Sequence, residues 1–408
     1  MNAQEIIQMR GEYLMPCLGY FYKTPPVFVK GEMQYLYDEK GKKYLDFFAG
    51  VSVMNCGHSN PEILNRVMQQ LGTLQHVTNV YLTQPIVELA KRLSEVLPGD
   101  LHNSFFCMSG SEANEGAMLL ARIYTGKKKF IALKNSLHGR THLTMSATAI
   151  PMWRADPFLA EDFYFVSHSP DTIISELETI LKQDEDIAAF ICEPIQGNGG
   201  IITPPDRYFS EISALLKRYG VLMICDEVQT GFARTGKMFA IEHYGVVPDV
   251  MTMSKALGNG IPIAAFSTTK EIAARFTAPS ASTLGGNPVA CAAALGVLDY
   301  IEGHDLCARA EKLGGLLLDK LKSLKNKHSI VSEVRGKGLM LGMELRDADN
   351  EPLASKTDAV LEQLKDDGII LGKNGLHRNV LAFQPPLVIQ EDDIDFLVER
   401  LDHALGNA

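Results

Sequence analysis

Two strand-like runs in this chain end in side chains that can do chemistry together. Val221-Leu222-Met223-Ile224-Cys225 is apolar throughout and runs into Asp226. Ligands of open α/β sheets bind outside the carboxyl ends of the strands, so an acid there is placed to meet something bound. Further along, Asp249-Val250-Met251-Thr252-Met253-Ser254 runs into Lys255, followed by the flexible turn Ala256-Leu257-Gly258-Asn259-Gly260. A lysine that leaves an apolar strand into a cleft loses hydration, its pKa falls, and its amine becomes able to form a Schiff base with an aldehyde. A third segment, Ser109-Gly110-Ser111-Glu112-Ala113-Asn114-Glu115, precedes an apolar-periodic stretch through Ala117, Leu119, Leu120 and Ile123. That pattern predicts a helix with Gly110 and Ser111 at its N-terminus, where free backbone N–H groups bind phosphate. Each feature alone has a plainer reading: a strand-end acid facing water, a lysine reaching solvent at a sheet edge, an ordinary N-cap.

Positioning such groups requires a parallel sheet, and the chain is built for one. From about residue 55 to 300, helical stretches such as Arg207 to Tyr219 alternate with short apolar runs: Phe130 to Leu133, Ala188 to Cys192, Val221 to Cys225, Val250 to Met253 and Ile261 to Phe266. Runs apolar on both faces predict strands of a mostly parallel sheet covered by helices, a large α/β domain over residues 55–297. Before it, residues 1–54 carry an aromatic-rich β-hairpin across Gln34 to Phe47. After it, residues 298–408 read as a smaller α+β unit, with helices to about Leu324, strands at Ile330 to Arg335 and Gly338 to Leu345, and a final helix near Glu391 to Leu405. The N- and C-terminal segments are expected to form one small domain.

The chain has 408 residues, 46% hydrophobic and 22% charged, with 34 Gly and 19 Pro, which excludes disordered, collagen-like and coiled-coil classes. A formal net charge of −10 repels nucleic acid in the absence of a basic stripe, and none is present. The seven cysteines are scattered without a C-x-x-C pair, which predicts reduced thiols and a cytoplasmic address rather than disulfides or zinc. No run approaches the roughly 18 uninterrupted apolar residues of a membrane span.

A phosphate cradle, a Schiff-base lysine and a carboxylate able to hold a ring nitrogen protonated are together what pyridoxal 5'-phosphate requires. From about residue 20 to 400 the sequence resembles the class III (ω-amino acid type) aminotransferases, fold-type I pyridoxal-phosphate enzymes. The segments that carry the resemblance are Ser109 to Glu115, Glu193-Pro194-Ile195-Gln196-Gly197, Asp226-Glu227-Val228-Gln229-Thr230-Gly231-Phe232-Ala233-Arg234-Thr235-Gly236, Ser254 to Gly260, and Thr283-Leu284-Gly285-Gly286-Asn287-Pro288. The resemblance implies that Lys255 forms the Schiff base and moves the proton, while Asp226 pairs with the pyridinium nitrogen. It implies that Val228 packs on a ring face, Gln229 bonds the phenolic oxygen, and Glu193 stands behind them. Ser109, Gly110 and Ser111 hold the phosphate, joined by Thr283 from the partner subunit of a homodimer, itself open to pairing as a dimer of dimers. Tyr22 matches a substrate-pocket tyrosine. The implied reaction passes the amino group of an amino acid or ω-amino compound to a 2-oxo acid (pyruvate, glyoxylate or 2-oxoglutarate) by a ping-pong scheme.

Three positions depart from the family pattern. Where many members stack Phe or Tyr on the ring just before His-Gly, this chain has Leu137-His138-Gly139, so that the contact becomes aliphatic or His138 takes part of it. The γ- and δ-amino acid aminotransferases pair a glutamate with a gated arginine, and here those positions are Asn198 and Ala382. Joint loss is physically consistent, since either charge alone would be stranded. Arg378, with Lys373 next, is the expected cation for a substrate carboxylate. The stretch Asn379-Val380-Leu381 before Pro385-Pro386 also resembles the branch containing alanine–glyoxylate aminotransferases and phospho-lyases of amino-alcohol phosphates, which keeps a lyase reading open. A non-catalytic, cofactor-binding regulatory protein is a remoter reading, disfavoured by intact Lys255, Asp226 and Gln229. Gly336-Lys337-Gly338 is not expected to be a dinucleotide site, nor His138 and His142 a metal site.

Overall fold

The computed structural model describes residues 2–407; positions 1 and 408, the outer limits of the expected segments, lie outside the described residues. After the helix Ala3–Tyr13 come three short N-terminal strands: β1 (Phe28–Glu32), β2 (Tyr35–Asp38) and β3 (Lys43–Asp46). The strands of the expected hairpin are β2 and β3, turning through Glu39 to Lys42, and β1 adds an outer strand that the pattern search missed.

The large sheet has seven strands, β4 (Asn103–Cys107), β5 (Lys129–Leu133), β6 (Phe163–Val166), β7 (Ile187–Cys192), β8 (Leu222–Asp226), β9 (Val250–Met253) and β10 (Ala264–Thr268), in the order β4-β10-β9-β8-β7-β5-β6. β5 through β9 pair parallel, as the doubly apolar runs require. β7, β8 and β9 are buried along their whole lengths. β10 alone runs against its neighbours, β9 and β4. The reason is its connection: only Ser254 to Ile263 separates it from β9, too short for the helical crossover that a parallel return needs. β10 also begins at Ala264 rather than Ile261, because Gly258 to Ile261 is a tight turn. β4 and β6 escaped the sequence reading, and each is only partly buried.

The C-terminal strands are β11 (Val331–Lys337), β12 (Met340–Leu345), β13 (Ile369–Ile370), β14 (Gly372–Asn374) and β15 (Val380–Phe383). β11, β12, β15 and β14 form one antiparallel sheet, whereas β13 leaves it to pair parallel with β3. N- and C-terminal segments therefore share a sheet. Position 297 lies inside the helix Pro288–Gly303, which is buried on nearly all sides and packs against the helices Pro61–Leu71 and Gln84–Val96. Gly338 and Leu339 turn the β11–β12 hairpin, so the glycine pair there serves a turn. No helix among the described residues is long and apolar enough to cross a membrane.

Candidate active site

Three strand ends and one helix N-terminus meet at a cavity of about 220 Å³. Of the residues singled out in the sequence, Gly110, Ser111, His138, Glu193, Asp226, Val228, Gln229 and Lys255 line it. Asp226 ends β8, and Lys255 follows β9 with Ser254 between. Because β8 and β9 are parallel neighbours, their carboxyl ends open on the same side, and the acid and the lysine share one crevice.

Asp226 is held from several sides. Its Oδ2 accepts from Asn114 Nδ2 at 2.7 Å and lies 2.8 Å from His138 Nδ1, and its Oδ1 accepts from Val228 N at 3.1 Å. An ionised carboxylate only accepts, so the proton on that contact belongs to Nδ1. His138 Nε2 is buried without a partner among the described residues. Asn114 is itself fixed, since its Oδ1 accepts from Thr252 Oγ1 at 2.6 Å.

Lys255 adopts φ +47°, an uncommon conformation for a residue other than glycine, and strain of this kind persists where the surrounding fold over-determines the backbone. Burial lowers its pKa, opposed by the charges of Asp226 and Glu193. Glu193 lies just past β7, its Oε1 accepting from Leu137 N at 2.9 Å and its Oε2 from Gly197 N at 3.0 Å. Burial raises its pKa to about 7, with His138 opposing and Asp226 adding to the rise.

Ser109 caps the helix Gly110–Thr125, accepting from Glu112 N at 3.3 Å, outside the cavity lining. A Cβ on Gly110 would stand 2.8 Å from Val228 Cγ1, so only glycine lets the helix end approach the strand end this closely. Ser111 Oγ accepts from Arg140 N at 3.0 Å, which leaves its own O–H free to donate. Gln229 is buried with both amide atoms unpartnered, and a Cβ on Gly197 would overlap its Oε1.

Tyr22, Arg378 and Thr283 stand elsewhere in this chain. Tyr22 Oη donates to Leu371 O at 3.0 Å and accepts from Leu371 N at 3.1 Å, tying the N-terminal segment to the C-terminal strands. Arg378 lies over the ring of Phe21, 5.2 Å from its centroid, and Lys373 is paired with Asp358. Thr283 is exposed, in a segment joined to Asn79 through Ser282 O. Leu137 and Asn198 do line the cavity, whereas Ala382 is buried with Ile195, Ile201 and Met340. His138 is engaged with Asp226, and His142 with Asp156; no metal-binding cluster is found among the described residues.

The sequence reading missed Asn114 and Arg140. Asn114 is four residues beyond Gly110 and so on the same helix face, and Arg140 directly follows His138-Gly139. Arg140 lines the cavity, and its guanidinium makes no hydrogen bond or ion pair among the described residues.

The sequence model of the class-III aminotransferases matches residues 22–405. The chain belongs to the class III aminotransferases. Enzymes of this class depend on pyridoxal phosphate and catalyse transamination, and the fold is that of the fold-type I transaminases. This aminotransferase is 42% identical to alanine–glyoxylate aminotransferase 2 homolog 2, mitochondrial, of Arabidopsis thaliana, over 99% of this chain and 88% of the relative. It is 38% identical to the acetylornithine aminotransferase of Methanothermobacter thermautotrophicus, over the full length of both. Its structure superimposes with a TM-score of 0.93 on a phospholyase from Arthrobacter in complex with phosphoethanolamine, at 30% identity, covering 99% of this chain and 100% of that one.

The cavity fits the cofactor on its own terms. It presents a buried amine, a carboxylate fixed at a strand end, an unpartnered buried amide and a helix N-terminus cleared by glycine.

Proposed function

We propose that this aminotransferase moves the amino group of an amino acid or ω-amino compound to a 2-oxo acid by a ping-pong scheme, with Lys255 and Asp226 at the centre of the chemistry. The observation that carries this reading is the shared cavity of Lys255, Asp226 and the unpartnered Gln229 amide beside the helix at Gly110. Pyridoxal phosphate, when bound, supplies an aldehyde to take up the amino group and a pyridine ring to draw electrons from the substrate carbon.

The chain supplies the rest. Lys255 Nζ, its pKa lowered by burial, has a share of neutral amine that takes the proton from the donor carbon and returns it later in the transfer. Asp226, with His138 and Asn114 donating to Oδ2, is oriented to keep a ring nitrogen protonated. Gln229 Nε2 would donate to the phenolic oxygen, with Glu193 standing behind it. Val228 and Leu137 would provide aliphatic contacts to the ring. Ser111 Oγ and the N–H groups from Gly110 onward would hold the phosphate, with Ser109 capping their helix, and Thr283 of a second copy would complete that site. Tyr22 supports the substrate pocket through Leu371.

A homodimer is supported by the neighbourhood of Thr283. Val80, Tyr81 and Leu82 are 75%, 66% and 98% exposed, and Leu284 is 48% exposed. Apolar side chains in that number on one surface suit burial between copies. The free cysteines, five of them buried, fit a reducing compartment such as the cytoplasm.

The test is stoichiometric. A primary amine donor converts the bound cofactor to pyridoxamine phosphate, and a 2-oxo acid reverses the change. Release of ammonia without any acceptor favours instead a lyase acting on a small amino compound such as an amino-alcohol phosphate, the reading that the likeness to the Arthrobacter phospholyase supports.

A further inference from the structure

The loop 197–200 stands between the cofactor cavity and the C-terminal sheet, and its position decides that of Gln229. The Gln229 amide is buried with neither polar atom partnered among the described residues, so packing alone orients it. Its neighbour is the backbone of Gly197, where a Cβ would overlap Oε1 and would stand 3.2 Å from Met340 Cε of β12. The same loop sets Asn198 into the cavity wall. Whatever fixes the loop therefore fixes the amide.

The C-terminal sheet supplies the hold. Arg335, on β11, donates to Gly200 O from Nε at 3.0 Å and from Nη2 at 2.6 Å, across 135 residues of sequence. Gly200 has φ +114°, and a Cβ there would stand 3.1 Å from Nη2, so glycine both permits the backbone and admits the guanidinium. Asn374, buried at the end of β14, donates from Nδ2 to Gly197 O at 3.0 Å, and Gly375 N donates to Asn198 O at 3.1 Å. On its other side the loop is pressed against the large domain: a Cβ on Gly199 would stand 2.4 Å from Asn135 O.

The guanidinium is itself fixed. Its Nη1 donates to Glu344 Oε2 at 2.7 Å and to Glu333, while Glu344 Oε1 accepts from Arg346 Nε at 2.6 Å. A planar fork of five donors grips a carbonyl and a carboxylate together, which a single ammonium does not. Because Glu344 keeps Arg346, replacing Arg335 strands no acid.

We propose that Arg335 and Asn374 are positioning residues which, through loop 197–200, hold the Gln229 amide where it meets the phenolic oxygen of the cofactor. The inference rests on the role given to Gln229 above. Neither residue lines the cofactor cavity, so both act through the loop.

The experiment follows the visible absorption of the pyridoxal-phosphate holoenzyme against pH, which reports protonation of the Lys255 Schiff base. A donor to the phenolic oxygen favours its anion, and deprotonation of the Schiff base leaves that anion without its neighbouring positive charge. Loss of the donor therefore moves the midpoint up. Gln229→Leu is expected to raise it by about one pH unit. Arg335→Met and Asn374→Ala are each expected to move it the same way, with cofactor affinity by equilibrium dialysis about tenfold weaker and Arg335→Lys intermediate. In a Gln229→Leu background, Arg335→Met is expected to add no further shift. Should Arg335→Met fail to fold, Arg335→Lys and Asn374→Ala carry the same comparison. A midpoint equal to the parent's in Arg335→Met or Asn374→Ala, beside a shifted Gln229→Leu, overturns the proposal, as does a shift from Arg335→Met that persists in full without Gln229. An unmoved midpoint in Gln229→Leu overturns instead the role of Gln229 at the phenolic oxygen, and this proposal with it.

Discussion

His138 Nδ1 lies 2.8 Å from Asp226 Oδ2, with both side chains sealed from solvent, so the imidazole orients the acid that ends β8. Asn114 donates to the same oxygen from the opposite element, a helix rather than a loop. Among the described residues Val228 N is the only donor to Oδ1, so that oxygen keeps lone-pair capacity for a bound group.

His138→Ala removes one of these donors and leaves Asp226 freer to turn. Lost hydrogen bonds to buried charged groups cost about 1.5 to 3 kcal/mol, so pyridoxal-phosphate affinity should fall by roughly 10- to 100-fold. Equilibrium dialysis of the cofactor checks this. Undiminished affinity would show that His138 only fills space.

Asn114→Asp sets a second carboxylate against Asp226, whereas Asn114→Ala merely deletes a donor. The first should be the more damaging to cofactor binding at pH 8, with the gap narrowing at pH 5 as one acid of the pair takes up a proton. Cofactor titrations at the two pH values measure it.

Lys255→Ala should abolish turnover and the mass increase left by borohydride reduction of the holoenzyme, while leaving the thermal unfolding of the apoenzyme close to that of the parent. Retained turnover with no adduct would remove Lys255 from the chemistry.

Gly197→Ala forces its new methyl into Gln229 Oε1. The amide must leave its place, so cofactor binding should weaken while the N-terminal pair, β1 with β2, keeps its hydrogen-exchange protection. Hydrogen exchange and cofactor titration on one preparation separate the two effects.

Glu227 is fully buried, accepts from Ile241 N at 2.7 Å, and has its pKa raised by burial from 4.5 to about 7. The folded state therefore holds this proton more tightly than the unfolded chain does. The stability that this group contributes is full below its unfolded pKa and is lost as pH rises toward 7. Glu227→Gln should flatten that decline: the difference in Tm between pH 5 and pH 8 should be smaller in the variant than in the parent. An equal or larger difference refutes the assignment.

Local pattern was enough to read the central strands, because β7, β8 and β9 are apolar on both faces and admit few other placements. It was weak for β4 and β6, whose faces are unevenly buried, and it did not reveal that β10 runs backwards, which depends on the length of a turn. Arg378 illustrates the limit in the site. Its chemistry suited a carboxylate, yet its positive φ of 58° and the ring of Phe21 turn it away, while Arg140 takes the wall.

What the amino-acid order determined alone was the set of reactive types and the strands that carry them, since a residue at the end of a buried strand is placed by hydrophobic periodicity and needs no other information. Tertiary structure alone decided which side chains meet. Asn114, His138 and Asp226 are separated by 24 and 88 residues along the chain, and Tyr22 reaches across 349 to Leu371. Such contacts follow from strand order and packing angles, which are properties of the whole chain that no local stretch encodes.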